Sequence, residues 1–258
     1  MQSEGAMNQP SGPDAGQIQK LFASISTRYD FANRVLSLGF DQWWRRRLIR
    51  GCLERTPSPR EVLDLACGTG DVASALQKMT DSVTGGDLSK EMLEQAKAKN
   101  PHVRWIELDA TRLPFENQTS DLITIAFGLR NVSDPATAIR EMYRVLRPGG
   151  VIGILEFGNP GNSILGRMIQ LINRAWLKTL GGKITGHPWA YQYLSKSSEN
   201  FPGPTELEAL ATQAISEAAP PELLSRPKIT SRRLFPGICY TLFIFKPHSA
   251  ATDLHKSY

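Results

Sequence analysis

The chain has 258 residues, 41% hydrophobic and 21% charged, which is enough apolar material for one large domain with a substantial core. Its net charge of +5 and pI near 9.2 are modest, and the basic residues form no long block. Nucleic acid is therefore not the expected partner, whereas contact with an anionic membrane surface is admitted. The three cysteines, Cys52, Cys67 and Cys239, are odd in number and widely spaced. They offer neither a disulfide framework nor a Cys-x-x-Cys metal pair, and they suit a reducing compartment.

Residues 1–17 are rich in Gly, Ser, Gln, Asn and Pro and carry no apolar run. They read as a disordered leader and not as a secretory signal. No stretch of about 20 uncharged apolar residues exists, so nothing is expected to span a membrane. Residues 18–56 are expected to form an N-terminal helical lid. Ile18, Leu21, Phe22 and Ile25 share one helical stripe, and Trp43, Trp44, Leu48 and Ile49 give another apolar face. Arg45, Arg46 and Arg47 lie alongside that second face. They read either as a solvated row or as contacts to phospholipid head groups.

The stretch at 61–73, EVLDLACGTGDVA, organises the rest of the chain. Val62, Leu63 and Leu65 suit a strand buried on both faces of a parallel sheet. Gly68, Thr69 and Gly70 stop that strand, and helical pattern resumes at Asp71. Strand, glycine turn and helix is how α/β proteins hold a nucleotide-like ligand beyond the first strand. By itself the pattern also fits the loose dinucleotide fingerprint. Residues 82–86 read as strand two, ending at Asp87. That places a carboxylate about 20 residues past the loop, the spacing expected for an acid that accepts from ribose hydroxyls. Residues 89–99 form a helix that Ser89 can cap, with Met92, Leu93 and Ala96 inward. Strand three spans 103–108 and ends at Asp109 and Ala110. Strand four, 121–127, is nearly all apolar and therefore central. A helix at 135–146 is closed by Pro148-Gly149-Gly150, and strand five runs from 151 to 157.

Beyond Phe157 the alternation breaks. Residues 158–204 read as a helical insertion, 205–217 as a helix, and 228–235 and 237–246 as two late strands. A hairpin-like pair at this point implies an antiparallel edge strand. Residues 247–258 read as a flexible tail. The expected fold is α/β: a doubly wound, mostly parallel, seven-stranded Rossmann-like sheet, in one domain over 18–246.

At this point the residues reach a family. The stretches RYDFANRVLSLGFDQWWR, LDLACGTGD, GDLSKEML, DATRLPF, TIAFGLRN, REMYRVLRPGG, ILEFGNP and YQYLSKSSENFP resemble the ubiquinone/menaquinone biosynthesis C-methyltransferases. These belong to the class I S-adenosylmethionine-dependent methyltransferases. The resemblance implies S-adenosyl-L-methionine as donor and a lipid-tailed quinol as acceptor. It places the donor over Gly68, Thr69 and Gly70, with Asp64 just before the loop. Asp87 would hold the ribose, and Asp109 and Ala110 the adenine. The family often has a serine just before FGLRN, where this chain has Ala126. The segment EAAPPELLS at 217–225 is longer than the family pattern. No metal-ligand spacing occurs, and an activated sulfonium requires neither a metal nor a covalent nucleophile.

A ring carbon becomes nucleophilic when a neighbouring hydroxyl loses its proton, so the site needs a base or a cation beside the phenolate. Arg130 and Asn131, just past strand four, are the candidates. Arg130 would stabilise the phenolate and Asn131 orient the ring. Arginine stays protonated and is no ordinary base, and a structural ion pair of Arg130 with Asp30 or Glu156 is the competing role. Tyr29 and Tyr191 are candidates for lining the pocket, and His187 is a candidate base. Residues 164–180, whose only charges are Arg167, Arg174 and Lys178, suit either a bilayer interface or a buried lid helix. Expected location is cytoplasmic, with peripheral contact at the inner face of the membrane, and a homodimer is admitted. The alternatives are a nicotinamide-dependent oxidoreductase sharing the glycine loop, a non-catalytic donor-binding protein, and a C-methyltransferase of another phenol or sterol.

Overall fold

Five parallel strands build one side of a seven-stranded sheet in the computed structural model, which describes residues 39–158, 200–218 and 227–248 with Arg34, Ser37, Ser197 and Ser198. Tyr29, Tyr191, His187, the stretch 164–180, the segment 219–225 and both termini lie outside the described residues.

The elements are α1 (Phe40–Leu53), β1 (Glu61–Leu65), α2 (Asp71–Leu76), β2 (Ser82–Asp87), α3 (Lys90–Lys99), β3 (Arg104–Glu107), β4 (Ser120–Ala126), α4 (Pro135–Val145), β5 (Leu146–Phe157), α5 (Pro204–Ala218), β6 (Lys228–Leu234) and β7 (Cys239–Phe245). A single 3-10 turn, Leu129–Asn131, follows β4. The strand order is β3-β2-β1-β4-β5-β7-β6. Strands β1 to β5 pair in parallel, and β7 runs antiparallel to both β5 and β6. The apolar β4 sits at the centre, as its composition requires.

Alternation along each strand sorts the core into two layers. Leu63, Leu65, Ile123, Ile125, Ile152 and Ile154 face the layer that holds Ile139, Met142, Leu207 and Ile215 of α4 and α5. Val62, Leu122, Val151, Leu155 and Phe243 face the layer with Trp44, Leu48, Val72 and Leu76 of α1 and α2. Burying each such side chain contributes roughly 1.5–3 kcal/mol. Helix starts follow local chemistry. The Ser89 hydroxyl accepts from Met92 N at 3.3 Å, and the Asp134 carboxylate accepts from Thr137 N at 3.0 Å, with Pro135 opening α4.

Two expectations are corrected. Pro148-Gly149-Gly150 does not cap a helix. The α4 helix ends at Val145 and Leu146 is already extended (φ −70°, ψ 132°), so β5 begins there. Pro148 disfavours a helical residue before it, and Gly149 takes φ 82°. The backbones of Gly149 and Gly150 bond Lys246, just past β7. The reversed strand is also not at the edge. β7 lies between β5 and β6, because the apolar CYTLFIF needs cover on both faces while KITSRRL carries charge fit for an edge.

Candidate active site

The site gathers at the carboxyl ends of β1, β2 and β4, where the strand order reverses about β1 and β4. A cleft there, open to solvent on one side, has an empty volume of about 1030 Å³. Its wall includes Gly68, Thr69, Asp87, Asp109, Ala110 and Asn131, six positions singled out from sequence.

The glycine loop is held from beneath. Gly70 takes φ 83° as the residue before α2, and a Cβ there would lie 2.3 Å from the Trp105 ring. Gly68 takes φ 55°, and a Cβ there would meet nothing within 4 Å, so its backbone faces open cleft. Asp87 fixes the loop with both oxygens: Oδ2 accepts from Gly68 N at 2.8 Å and Oδ1 from Ser89 N at 2.9 Å. Each oxygen keeps a lone pair for a ligand hydroxyl. Burial pushes the Asp87 carboxyl up from its ordinary value. Asp109 is exposed at the rim, where its Oδ1 accepts from both the Thr111 N–H and hydroxyl at 2.8 Å. Ala126 also lines the cleft, so its wall there is a methyl group.

Asp64 touches the cleft, but its oxygens are committed inside the protein. Oδ1 accepts from Thr124 Oγ1 at 2.7 Å and Oδ2 from Ala73 N at 3.0 Å, which ties β1 to β4 and to the first turn of α2. The residue is 1% exposed, and burial pushes its carboxyl up to about 7. The folded protein therefore holds a proton that the unfolded chain releases near pH 4. Stability falls as pH rises from about 4 towards 7, because only the unfolded state ionises freely in that window. Asp64→Asn removes this titration and can keep both hydrogen bonds if Thr124 rotates its hydroxyl. Relative to the variant, the wild type is expected to lose melting temperature between pH 5 and pH 8. A difference that stays constant with pH would reject the assignment.

Phe127 lines the cleft and is backed by further aromatic rings. Phe127 and Phe157 stack with centroids 4.6 Å apart, and Trp44 of α1 meets both edge-on near 6 Å. Trp44 Nε1 donates to Phe235 O at 2.8 Å, which anchors α1 to the end of β6. Phe127 sits at φ 59° and Ala66 at φ 46°, each directly after a strand. Non-glycine residues in this region cost free energy, and such positions cluster at ligand sites.

Arg130 does not line the cleft. Its guanidinium is 3% exposed, paired with Glu156, which is fully buried, and it donates to Phe127 O at 2.8 Å. The competing role foreseen for it, an ion pair with Glu156, is present. Asn131 lines the cleft and donates from Nδ2 to Phe127 O at 3.4 Å. Among the described residues, the cation that does reach the cleft is Arg45. It lies 2.6 Å from Asp41, 3.8 Å from Asp71 and 5.6 Å from the Phe127 ring centroid. The sequence groups it with Arg46 and Arg47, but helical rotation turns those two outward to solvent. The helical period around Trp44 and Leu48 was the signal that could have singled it out.

Comparison with known proteins agrees with this geometry. The chain resembles a SAM-dependent methyltransferase structure from Thermotoga maritima with TM-score 0.61 at 19% identity, covering 88% of this chain and 99% of that one. It likewise resembles Haemonchus contortus phosphoethanolamine N-methyltransferase 2, with TM-score 0.60 at 15% identity over 90% of this chain and 60% of that one. Both support the class I methyltransferase fold. Closer relatives are the demethylmenaquinone methyltransferases of Thermus thermophilus and Deinococcus radiodurans, each 42% identical over 75% of this chain and covering 90% and 83% of the relative. The ubiquinone/menaquinone biosynthesis C-methyltransferase UbiE of Bdellovibrio bacteriovorus is 37% identical over 74% of this chain and 83% of its own length. A family model described as the ubiE/COQ5 methyltransferase family matches residues 11–222, and the chain belongs to that family.

Proposed function

We propose that this chain transfers the methyl group of S-adenosyl-L-methionine to a ring carbon of a lipid-tailed quinol, with a demethylmenaquinol as the preferred acceptor. The relatives at 42% identity carry that activity in their names, which supports the choice of acceptor. The observation that carries the reading is the cleft itself. A glycine loop, a ribose-type carboxylate and the Phe127 ring converge at the ends of three strands.

In this reading the Gly68–Gly70 backbone and Thr69 take the amino-acid end of the donor. Asp87 accepts from the ribose hydroxyls, and Asp109 with Ala110 borders the adenine. The donor supplies an electrophilic methyl on a sulfonium. The ring carbon attacks as its neighbouring hydroxyl loses a proton, the C–C bond forms as the S–CH₃ bond breaks, and the ring C–H proton then leaves as the oxygen regains one, so one proton is released to solvent overall. The chain's task is to align the two groups and exclude water, which can supply about 7–11 kcal/mol of the barrier. Asn131 orients the ring. Arg45, the cation on the cleft wall, stabilises the developing phenolate, and Arg130 positions Phe127 and Asn131 through its bond to the Phe127 carbonyl. Tyr29 is a further candidate for the acceptor side. Contact with the membrane is peripheral; among the described residues no helix is long and apolar enough to cross a bilayer.

Arg45→Gln is expected to lower kcat about a hundredfold, the usual effect of removing one transition-state donor, while the donor Kd moves far less. Equal kcat in the two proteins would remove Arg45 from the chemistry. The overall reading is tested by incubating purified protein and labelled donor with reduced demethylmenaquinone and with a reduced methoxy-benzoquinone. Label in the quinol ring is expected. Tight binding of NAD with no methyl transfer would point to the nicotinamide alternative.

A further inference from the structure

A second concavity lies outside the cleft, between the outer face of α1 and the edge strand β6, with an empty volume of about 1040 Å³. Its walls carry Arg47, Arg50 and Arg55 from α1 and its end, and Arg232 and Arg233 from β6. All five are exposed, and among the described residues no carboxylate pairs with any of them; Glu54 is the one acid on the wall. The chain as a whole is nearly balanced, with 30 basic and 25 acidic residues, so the cluster is a local excess. Like charges at helical spacing repel. The side chains are nevertheless held in place from below. Arg47 stacks on Trp43 at 5.0 Å, and Arg55 stacks on Phe243 at 4.2 Å while donating to Gly51 O at 2.8 Å.

The position of the groove relative to the cleft follows from topology. β6 and β5 both run antiparallel to β7, so they point the same way. The end of β6, where Phe235 stands 68% exposed beside Phe40, is therefore on the same edge of the sheet as the cleft. Arginines flanked by an exposed aromatic are the chemistry of a lipid interface, in which guanidinium groups meet phosphates and the ring enters the head-group layer.

We propose that the α1/β6 groove binds anionic phospholipid head groups and seats the protein on a bilayer with the cleft edge facing it. The inference rests on the proposed lipid-tailed acceptor for its purpose but not for its test. The exposed Phe235 gives the bilayer an apolar contact that a free phosphate would leave idle.

The test uses the full chain and sedimentation with vesicles of phosphatidylcholine alone or mixed with phosphatidylglycerol. Wild type is expected to bind the mixed vesicles, to ignore the neutral ones, and to release at about 1 M salt. Arg47→Gln/Arg50→Gln/Arg232→Gln is expected to weaken mixed-vesicle binding roughly a hundredfold, the effect of three basic groups at an anionic surface. Arg47→Lys/Arg50→Lys/Arg232→Lys keeps the charge and should retain most of the binding, which separates charge from folding. Inorganic phosphate at matched ionic strength should not compete. Equal binding by the Gln variant, binding to neutral vesicles, competition by free phosphate, or capture of an oligonucleotide without any vesicle binding would each overturn the proposal. Methyl transfer to a short-tailed, water-soluble quinol is read in parallel. Its failure with vesicle binding intact strikes the acceptor assignment and leaves the groove standing.

Discussion

Glu156→Ala is expected to destabilise the protein by about 3–5 kcal/mol, because it strands the Arg130 guanidinium in an apolar interior. Both side chains are almost completely buried, 3% and 0% exposed, and Glu156 does more than pair. Its Oε2 also accepts from Arg130 N at 3.3 Å and its Oε1 from Phe157 N at 2.9 Å. The carboxylate thus joins the end of β5 to the turn after β4. At this chain length the loss corresponds to a fall of roughly 10 °C or more in melting temperature. Replacing both partners with apolar residues, Arg130→Met with Glu156→Met, should recover much of the stability, since no buried charge is then left alone. Turnover should stay low in the double variant if Arg130 positions Phe127 and Asn131. A single variant as stable as wild type would show that water reaches the pair. Full turnover in the stable double variant would remove Arg130 from the function.

The second large effect is on ligand affinity. Asp87→Ala is expected to weaken donor binding by about 3 kcal/mol or more, roughly a hundredfold in Kd. The carboxylate serves two tasks that one group performs together. It receives the N–H groups of Gly68 and Ser89, and in the proposed donor pose its remaining lone pairs accept from the ribose. Asp87→Asn should fare little better, because an amide NH₂ must then face one of those two N–H donors. Calorimetric titration with S-adenosyl-L-methionine checks this, with circular dichroism confirming the fold. Unchanged affinity in a folded Asp87→Ala protein would put the ribose elsewhere.

One experiment probes the buried pair behind the cleft and the other the glycine-loop wall of the cleft itself, and the two regions differ in how readable they were. The glycine-loop side depends on short-range signals. A buried apolar run, a Gly-Thr-Gly break and an acid at the end of the next strand are each visible within a few residues, and the cleft gathers Gly68, Thr69, Asp87, Asp109 and Ala110 on one side. The region behind Phe127 depends on partners far apart in the chain. Arg130 could be read as a cation in the site or as half of an ion pair, and only the packing of β5 against the turn after β4 brings Glu156, 26 positions away, to its guanidinium. Arg45 shows the converse. It looked like one of three equivalent arginines until the docking of α1 turned one of them towards Phe127.

Sequence by itself determined the family, the parallel strand-to-helix rhythm from β1 to β5, the glycine loop and the helix starts at Ser89 and Asp134. Those features are written in periodicity, backbone freedom and capping chemistry, which act over a few residues. Tertiary structure alone decided that β7 lies inside β6, that β5 begins at Leu146 directly after α4, and which arginine faces the cleft and which is sealed behind it. These outcomes are set by which faces must be covered and which charges must be paired, and both depend on segments that meet only when the chain is folded.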